Sequence, residues 1–394
     1  MSVAVTGIGC ISGLGCGAEE HLQAFRAGGS GLGKVTLFQT KLQVPVAEVK
    51  MSNEQLKNQL GLDPDRLFSR TALLGMTAGK QAFQDAGLSN GRLRIGLISS
   101  SSVGGMDLSE QFFTEYSVNP GKGRLRMVAH HDIGDHTECI ADYLQLDGFR
   151  TSISTACSSS ANAIMFGARM IEQGLLDAVI AGGADALCRF TLNGFNSLMI
   201  LDNAPCRPFD ESRAGLNLGE GAGYLVLQSE KSLTPGTKVY CRLTGYANAN
   251  DAYHQTASSP EGEGAFLAML HALGKAGIES ATVDYINVHG TGTNNNDLSE
   301  STAIKRLFGE RVPPFSSTKS FTGHTLGAAG GLEAVFSVLT LNERVIFPNL
   351  NFKTPIMQTG LSPVTEMREG QDITTVLSNS FGFGGNNASL IFQK

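Results

Sequence analysis

The sequence predicts an α/β protein whose sheets are covered by helices on both faces. Short apolar runs rich in Val, Ile and Leu alternate along the chain with longer segments of helical spacing. Several of these runs are too apolar to leave one face in water, which is typical of strands buried between helices. The alternation restarts after a short polar segment at 233–238, so we expect two α/β halves of unequal length, at 1–236 and 237–394.

Each element of the first half is predicted from its hydrophobic spacing and from the glycine-rich or serine-rich turn that follows it. The helix at 70–86, for example, has apolar residues on one face and is followed by Gly87, a common terminating residue. The elements expected in this half are a strand at 3–9, the helix at 70–86, strands at 94–99 and 151–154, a helix of small residues at 158–173, and a strand at 178–181.

The second half has the same kind of pattern. Its expected elements are a strand at 239–247, a helix at 264–276, a strand at 285–288, an apolar helix at 326–341, and strands at 375–377 and 389–392. No short-period repeat is present, and the residue identity between the two halves is too low to demonstrate a duplication.

Composition argues against several classes of protein. Hydrophobic residues make up 41% of the chain and charged residues 17%, which argues against intrinsic disorder. The net charge is −6 and no long basic block occurs, so neither a nucleic-acid partner nor a dedicated nucleic-acid-binding role is expected. No apolar stretch reaches the roughly 18 residues that span a bilayer. The 7 Cys include no C-x-x-C pair and the N-terminus is not signal-like, so we expect reduced thiols in a cytoplasmic enzyme.

Cys157 is the first candidate for chemistry, because it lies between a predicted strand and the start of a predicted helix. The unpaired N–H groups and the dipole at a helix N-terminus favour a thiolate and lower the pKa of a thiol. The small neighbours from Thr155 to Ser160 leave room for a substrate to reach the sulfur. An inert buried Cys is the alternative, and the local sequence by itself favours neither reading.

Two histidines lie in loops at the ends of predicted strands. His289 is followed by a glycine-rich turn, with Asp297 and Glu300 further along, and His324 precedes a helix of small residues. A single such His is more often structural. Two of them together with a candidate Cys form a catalytic constellation that chance does not readily produce.

A glycine-rich segment at 379–387 is the fourth candidate. Its glycines allow the backbone to approach a ligand closely, and a backbone N–H there could bind an oxyanion. A β-turn before the last strand is the alternative interpretation of the same residues.

These four segments resemble the active-site motifs of one family. The sequences T-A-C-S-S-S, H-G-T-G-T, T-K-S-F-T-G-H-T-L-G-A-A-G and N-S-F-G-F-G-G-N-N, which begin at 155, 289, 318 and 379, are similar in order to motifs of the β-ketoacyl-acyl carrier protein synthases. The similarity is greatest to the synthase I/II type and to the related type II polyketide and aryl-polyene ketosynthases. Further similar segments lie at 207–210, 219–223 and 251–254, so the resemblance covers essentially the whole chain.

The resemblance implies the thiolase fold, in which two similar α/β halves stack in five αβαβα layers with the active site between them. It also implies a dimer. Its chemistry would be a decarboxylative Claisen condensation, in which an acyl group on Cys157 reacts with malonyl-acyl carrier protein. His289 and His324 would act on the malonyl thioester, and the product would be a β-ketoacyl thioester two carbons longer.

The resemblance also assigns supporting residues. Lys319 matches a buried lysine of the family, with Glu300 as its carboxylate partner, and the backbone N–H groups of Cys157 and Phe383 would form an oxyanion hole. Val103 matches a position that shapes the far acyl pocket, where its fairly small side chain is compatible with medium to long chains. The remaining residues assigned to gating or support are Phe381, Asp297, Thr291 and Thr293.

No redox cofactor and no catalytic metal is implied. A structural sodium or potassium ion near Asn287 and Glu333, as in some relatives, is left open. A zinc site is disfavoured, because no closed set of four ligands with the usual spacing occurs. The residues considered for it are His130, His131, His136 and Cys139.

The implied partners are an acyl carrier protein and its acyl and malonyl thioesters. Carrier proteins are acidic, so docking on a chain of net charge −6 requires a local basic patch. Lys122, Arg124 and Arg126 form the densest basic cluster, although a solvated loop explains their charges nearly as well.

Some residues depart from the family pattern and keep alternatives open. Ser154 lies where many relatives have Asp, and Met199, in a short stretch, lies where a basic docking residue is expected. The chain could therefore be the catalytic subunit of a heterodimer with a homologue that lacks the Cys. A non-catalytic scaffold subunit is disfavoured because Cys157 and both His are present. A degradative thiolase is disfavoured because 379–387 contains no second Cys.

Overall fold

The structure, a computed structural model, describes residues 2–89, 91 and 93–394. The strands are β1 (Val3–Ser12), β2 (Gly15–Cys16), β3 (Leu32–Gly33), β4 (Val46–Ala47), β5 (Ile95–Ser100), β6 (Arg150–Ile153), β7 (Ala178–Asp185), β8 (Gly221–Gln228), β9 (Cys241–Asn250), β10 (Tyr285–Asn287), β11 (Phe315–Ser316), β12 (Thr375–Gly382) and β13 (Asn386–Gln393).

The helices complete the description of the chain. They are α1 (Ala18–Arg26), α2 (Asn53–Leu60), α3 (Arg70–Asp85), α4 (Met106–Val118), α5 (Asp135–Leu144), α6 (Ser159–Glu172), α7 (Arg189–Ser197), α8 (Glu263–Ala276), α9 (Asn294–Phe308), α10 (Lys319–Thr322) and α11 (Ala329–Glu343). Short 3₁₀ turns include Leu125–His130, Leu326–Ala328 and Phe383–Gly385. Within the described ranges, no helix is long and apolar enough to cross a membrane.

Every element expected from the sequence forms, with its ends shifted by a few residues. The sequence does not predict strand β8, the two-residue strands β2, β3, β4 and β11, or several of the helices. In β8, Gly221 and Gly223 interrupt the run of apolar side chains from which a buried strand is predicted. Helix α4 buries only Leu108, so its sequence has no core-facing stripe that could identify it.

The two halves of the sheet have the same strand order, which confirms the expected α/β class and the pair of similar halves. The first half runs β6-β5-β7-β8-β1 and the second runs β11-β10-β12-β13-β9. In each half the first two pairings are parallel and the next two are antiparallel. Strands β1 and β9 pair with each other and join the halves. The expected boundary at 236/237 lies in the loop between β8 and β9.

Helices α6 and α11 form the middle layer of the molecule. Both contact strands of both halves as well as each other, whereas α3 packs on the first half and α8 on the second. Residues 329–341 of α11 are buried throughout, because this helix is apolar and rich in small residues. The result is the five-layered arrangement of the thiolase fold, with the starts of α6 and α11 brought to the junction of the halves.

The glycines of β8 allow this middle layer to form. A Cβ atom on Gly223 would lie 2.3 Å from the backbone nitrogen of Leu332 and 2.4 Å from the carbonyl carbon of Gly331, so α11 rests directly on the strand. A Cβ atom on Gly182 of β7 would lie 2.0 Å from the Gly223 oxygen. Close packing of backbones therefore explains a glycine run that the sequence alone presents only as a motif.

Candidate active site

A cavity of about 220 Å³ lies at the junction of the halves and brings together the predicted Cys and both predicted His. Cys157 precedes α6, His289 follows β10, and His324 follows α10, so each side chain comes from a loop at the end of an element. All three line the cavity, although each is less than a tenth exposed. The lining residues include no Asp, Glu, Lys or Arg.

The loop that presents Cys157 has a strained backbone. Ala156 has φ 52°, in the left-handed region that non-glycine residues seldom adopt. Ser159, in the first turn of α6, holds the loop on both sides of the strained residue. Its Oγ accepts the Thr155 N–H at 2.8 Å and donates to the Ala156 carbonyl oxygen at 2.5 Å.

Burial raises the pKa of the Cys157 thiol to about 12. The positive charge of Lys319 and the backbone N–H of Phe383 both oppose that rise, but they do not cancel it. The expectation of a lowered pKa at the helix N-terminus is therefore wrong, because removal of the sulfur from water outweighs the lowering by Lys319 and by the Phe383 N–H. At neutral pH the group is a thiol, so a nucleophilic attack must be coupled to loss of its proton.

The two imidazole rings are neutral at neutral pH. Burial, followed by the charge of Lys319, holds the pKa of both His289 and His324 well below the usual range. The ring centroids lie 5.3 Å apart with the planes nearly perpendicular. His324 Nδ1 accepts the Leu326 N–H at 3.3 Å, so the proton of the neutral ring is on Nε2, which can donate.

Lys319 is paired with Glu333, so the assignment of Glu300 as its carboxylate partner is wrong. The Lys319 Nζ donates to a Glu333 carboxylate oxygen and, at 2.6 Å, to the carbonyl oxygen of His289. Both side chains are almost completely buried. The ammonium group thus fixes the backbone of the first His and carries a positive charge beside the cavity.

Glu300 has a different structural role. Its carboxylate accepts the N–H groups of His289 at 2.9 Å and Gly290 at 2.8 Å. Burial raises the pKa of Glu300 to about 7, and these hydrogen bonds act against the rise. Glu300 therefore positions the loop that carries His289 and does not reach the cavity lining.

Asp297 supports the next turn of the same loop. It accepts the backbone N–H groups of Thr291 and Phe209 at 2.9 and 2.8 Å. The hydroxyl oxygens of Thr291 and Thr293 lie 2.9 Å apart, and both residues line the cavity. They give it a polar wall of hydroxyl groups close to His289.

The glycine-rich segment at 379–387 splits into two parts. Residues up to Gly382 continue β12, and Phe383 to Gly385 form the turn before β13. The Phe383 N–H is close enough to the Cys157 sulfur to lower the pKa of the thiol. The ring of Phe383 stacks on Phe195 with centroids 6.0 Å apart, and Phe381 lies 5.7 Å from the ring of His289. The segment therefore supplies both a donor and an aromatic wall.

The remaining predicted residues do not line this cavity. Val103 is half-buried, and its N–H lies 3.3 Å from the Asp185 carboxylate. Lys122, Arg124 and Arg126 are exposed on the segment after α4. Acyl-pocket and docking roles for these four residues stay predictions.

The histidine-rich segment is held by ordinary polar contacts. His136 Nε2 lies 2.6 Å from the Ser99 hydroxyl, and His130 Nδ1 lies 3.0 Å from Asp135. No group of three His, Cys, Asp or Glu that could hold a metal ion occurs in the part of the chain that the structure describes.

Two family models match the chain. Residues 1–232 match the β-ketoacyl synthase N-terminal domain, and residues 240–353 match the β-ketoacyl synthase C-terminal domain.

Named relatives match over the full length. A protein of Staphylococcus aureus (strain COL), named 3-oxoacyl-[acyl-carrier-protein] synthase 2, is 35% identical over 408 residues, which cover 100% of this chain and 98% of the relative. The solved ishigamide ketosynthase/chain length factor has a TM-score of 0.94 at 31% identity, covering 100% of this chain and 99% of that one. The ketosynthase ApeO in complex with its chain length factor ApeC, from Xenorhabdus doucetiae, has a TM-score of 0.87 at 35% identity, covering 100% and 98%.

The raised pKa of Cys157 predicts how the free enzyme reacts with iodoacetamide. Its alkylation rate should rise about tenfold per pH unit from pH 7 to pH 10, because the thiolate fraction grows in that way below the pKa. The measurement is peptide mass spectrometry of the Cys157 peptide after timed alkylation, with a small-molecule thiol as the reference. A rate that levels off below pH 8 would show a stabilised thiolate and contradict the burial argument.

Proposed function

The chain belongs to the β-ketoacyl synthase family, and on that premise we propose that it condenses an acyl group held on Cys157 with malonyl-acyl carrier protein. The products are carbon dioxide and a β-ketoacyl-acyl carrier protein two carbons longer. The observation that carries the proposal is the convergence of Cys157, His289 and His324 on one cavity, which Phe383 also lines.

The first half-reaction transfers the acyl group to the protein. The Cys157 sulfur attacks the thioester carbon while its proton passes to a neutral imidazole, since both rings line the same cavity. The N–H groups of Cys157 and Phe383 stabilise the oxyanion of the tetrahedral intermediate, and one such donor contributes about 10²–10³ in rate. Collapse of the intermediate expels the carrier thiol, which takes up the proton.

The second half-reaction forms the carbon–carbon bond. The bond to the malonyl carboxylate breaks, carbon dioxide leaves, and the electron pair remains as an enolate. His324 donates its Nε2–H to the enolate oxygen, and the neutral ring of His289 provides a second donor. The enolate carbon attacks the acyl carbonyl, the bond to the Cys157 sulfur breaks, and the released thiolate takes up one proton from water.

This chemistry requires no redox cofactor and no catalytic metal. Among the described residues, no group makes a hydrogen bond of good geometry to the buried Asn287 Oδ1 or Glu333 Oε2, although the Ser380 side chain lies near Glu333, and such oxygen ligands fit a sodium or potassium ion. We propose that these two residues would hold such an ion as a structural element, with no part in the bond-making steps.

An exposed apolar face supports a dimer. Phe113 and Tyr116, three residues apart on α4, are 68% and 45% exposed, and Val118 and Leu125, which follow in the chain, are 84% and 74% exposed, which is unusual for apolar side chains that stay in water. Strand β6 also ends its half of the sheet with an open edge. The partner would be an identical copy or, as the second candidate, a homologous subunit that lacks the Cys; the solved ishigamide and ApeO proteins each include a chain length factor.

Docking of the acyl carrier protein on Lys122, Arg124 and Arg126 is part of the same proposal. Lys122 and Arg124 lie between Val118 and Leu125 in sequence, and Arg126 directly follows Leu125, so a carrier bound to them would sit beside the subunit contact. A cytoplasmic location also stays a prediction.

The acyl-enzyme is the direct test of this function. Incubation with an acyl-carrier thioester should give one acyl adduct per chain by intact-mass analysis, and Cys157→Ala should give none. Cys16→Ala, which removes a thiol away from the cavity, should retain the adduct. An adduct that persists on Cys157→Ala would contradict the assignment of the nucleophile.

The histidines should separate the two half-reactions. His289→Ala and His324→Ala should still form the acyl-enzyme, because one imidazole remains to accept the thiol proton. Each should slow carbon dioxide release and condensation by about 10²–10³, the loss typical of one donor to a developing oxyanion. The measurement is release of labelled carbon dioxide from malonyl-carrier after acylation, and near wild-type rates in both variants would contradict the mechanism.

The apolar face should control the assembly state. Light scattering should give twice the chain mass of 41.6 kDa for the wild type, and Phe113→Asp should reduce it to the monomer. Met357→Asp is the matched control, because Met357 is 81% exposed outside that face. A wild-type monomer that associates only with a Cys-less homologue would favour the heterodimer, and one that never associates would contradict both forms.

A further inference from the structure

Three asparagine side chains meet behind the loop that carries Cys157. The Oδ1 of Asn386, the first residue of β13, accepts a hydrogen bond from Ser158 Oγ at 2.7 Å. The same oxygen accepts from the Nδ2 atoms of Asn162 at 2.8 Å and Asn248 at 2.7 Å. A carbonyl oxygen with three donors has no remaining capacity, so this atom acts as a single anchor for groups from α6 and β9.

On one side, the anchor holds the strained nucleophile loop. Ser158 Oγ also lies 2.8 Å from the Thr155 carbonyl oxygen, and Asn162 Nδ2 lies 2.8 Å from the Thr155 hydroxyl. Two of the three donors to Asn386, Ser158 and Asn162, therefore also contact Thr155, which precedes the left-handed Ala156. A conformation of this kind persists only where its surroundings hold it in place.

Asn386 also lies next to the second donor, because it directly follows the turn Phe383–Gly385 that carries the Phe383 N–H. Gly382 and Asn386 are register partners at the end of the β12–β13 pair, on either side of that turn. The backbone also touches the nucleophile loop here, since a Cβ on Gly382 would lie 2.8 Å from the Thr155 oxygen and 3.2 Å from the Cys157 nitrogen. Glycine at 382 permits the contact, and Asn386 adds directed hydrogen bonds to it.

We propose that Asn386 is a positioning residue that sets the spacing of the two oxyanion donors, the N–H groups of Cys157 and Phe383. The inference rests on the proposed function. The donors come from the two different halves of the molecule, so no short covalent path fixes their separation. The side chain of Asn386 connects the two halves through its hydrogen bonds to Ser158 and Asn162. It does not line the cavity, so it acts on the reaction only through the residues to which it is bonded.

If Asn386 has this role, its loss should affect two reactions of the Cys157 sulfur, acylation and alkylation, to different extents. Acyl transfer passes through an oxyanion and depends on both donors, whereas alkylation by iodoacetamide forms no oxyanion. Loss of the Asn386 acceptor should therefore slow acylation far more than alkylation. The ratio of the two rates removes any common change in the thiol pKa or in access to the cavity.

The experiment measures single-turnover acylation of Cys157 by an acyl-pantetheine thioester and its alkylation by iodoacetamide, both by intact mass. Asn386→Leu, which removes the acceptor at similar volume, should lower the ratio of acylation to alkylation by about 10- to 100-fold, the cost of a misplaced catalytic group. Asn386→Asp keeps the acceptor oxygen and should restore most of the ratio. Asn248→Ala is the matched control, because it removes an exposed amide of the cluster that makes no contact with Thr155, and its ratio should stay within about threefold.

The outcomes separate this inference from the function on which it rests. An unchanged ratio in Asn386→Leu, including a parallel fall of both rates, would overturn the positioning role. If that variant does not fold, Ser158→Ala removes one of the two links to the loop, and an unchanged ratio there would overturn it equally. A wild type that is alkylated but never acylated would instead contradict the proposed function.

Discussion

The buried ammonium group of Lys319 is the interaction on which the rest of the site depends. A charge in the interior is tolerated only with partners, and here Glu333 and the His289 carbonyl supply them. Its positive field has consequences beyond this pair. It lowers the pKa of both imidazoles and opposes the effect of burial on the Cys157 thiol, and its hydrogen bond fixes the backbone of His289. One side chain thus fixes the backbone of His289, adds to the effect of burial on both imidazoles and opposes that effect at the thiol.

The resting cavity carries no charge on the groups that line it. A protonated thiol and two neutral imidazoles follow from burial, which penalises every ionised form. Charge develops only during reaction, on the oxyanion of the acyl intermediate and on the enolate. Donors aligned in advance in a water-poor cavity are most effective against charge of that kind, since they need no reorganisation when it appears. In this protein burial does not stabilise a thiolate in the resting enzyme. It strengthens the hydrogen bonds that stabilise the oxyanion and the enolate as they form.

The repeated topology explains why the site needs connections between the halves. Each half places strand-end loops at the junction, and the middle helices α6 and α11 bring their N-terminal ends to the same point. The nucleophile comes from the first half, and both histidines and the Phe383 turn come from the second. Contacts such as the Asn386 anchor lie across that junction. The fold brings the catalytic groups together, and a few polar side chains then adjust their spacing.

The α/β class, the positions of most core elements, and the Cys and His residues that meet in the cavity can all be predicted from the amino-acid sequence alone. These features depend on hydrophobic period and motif spacing, which are local properties of the chain. The partner of Lys319 and the pKa of Cys157 depend on contacts between residues far apart in sequence, so only the folded structure reveals them. Glu333, and not Glu300, pairs with Lys319, because the packing of α11 in the middle layer brings Glu333 to the ammonium group. Likewise, the pKa of Cys157 rises although its position before a helix predicts the opposite, because segments distant in the chain close over the sulfur and exclude water.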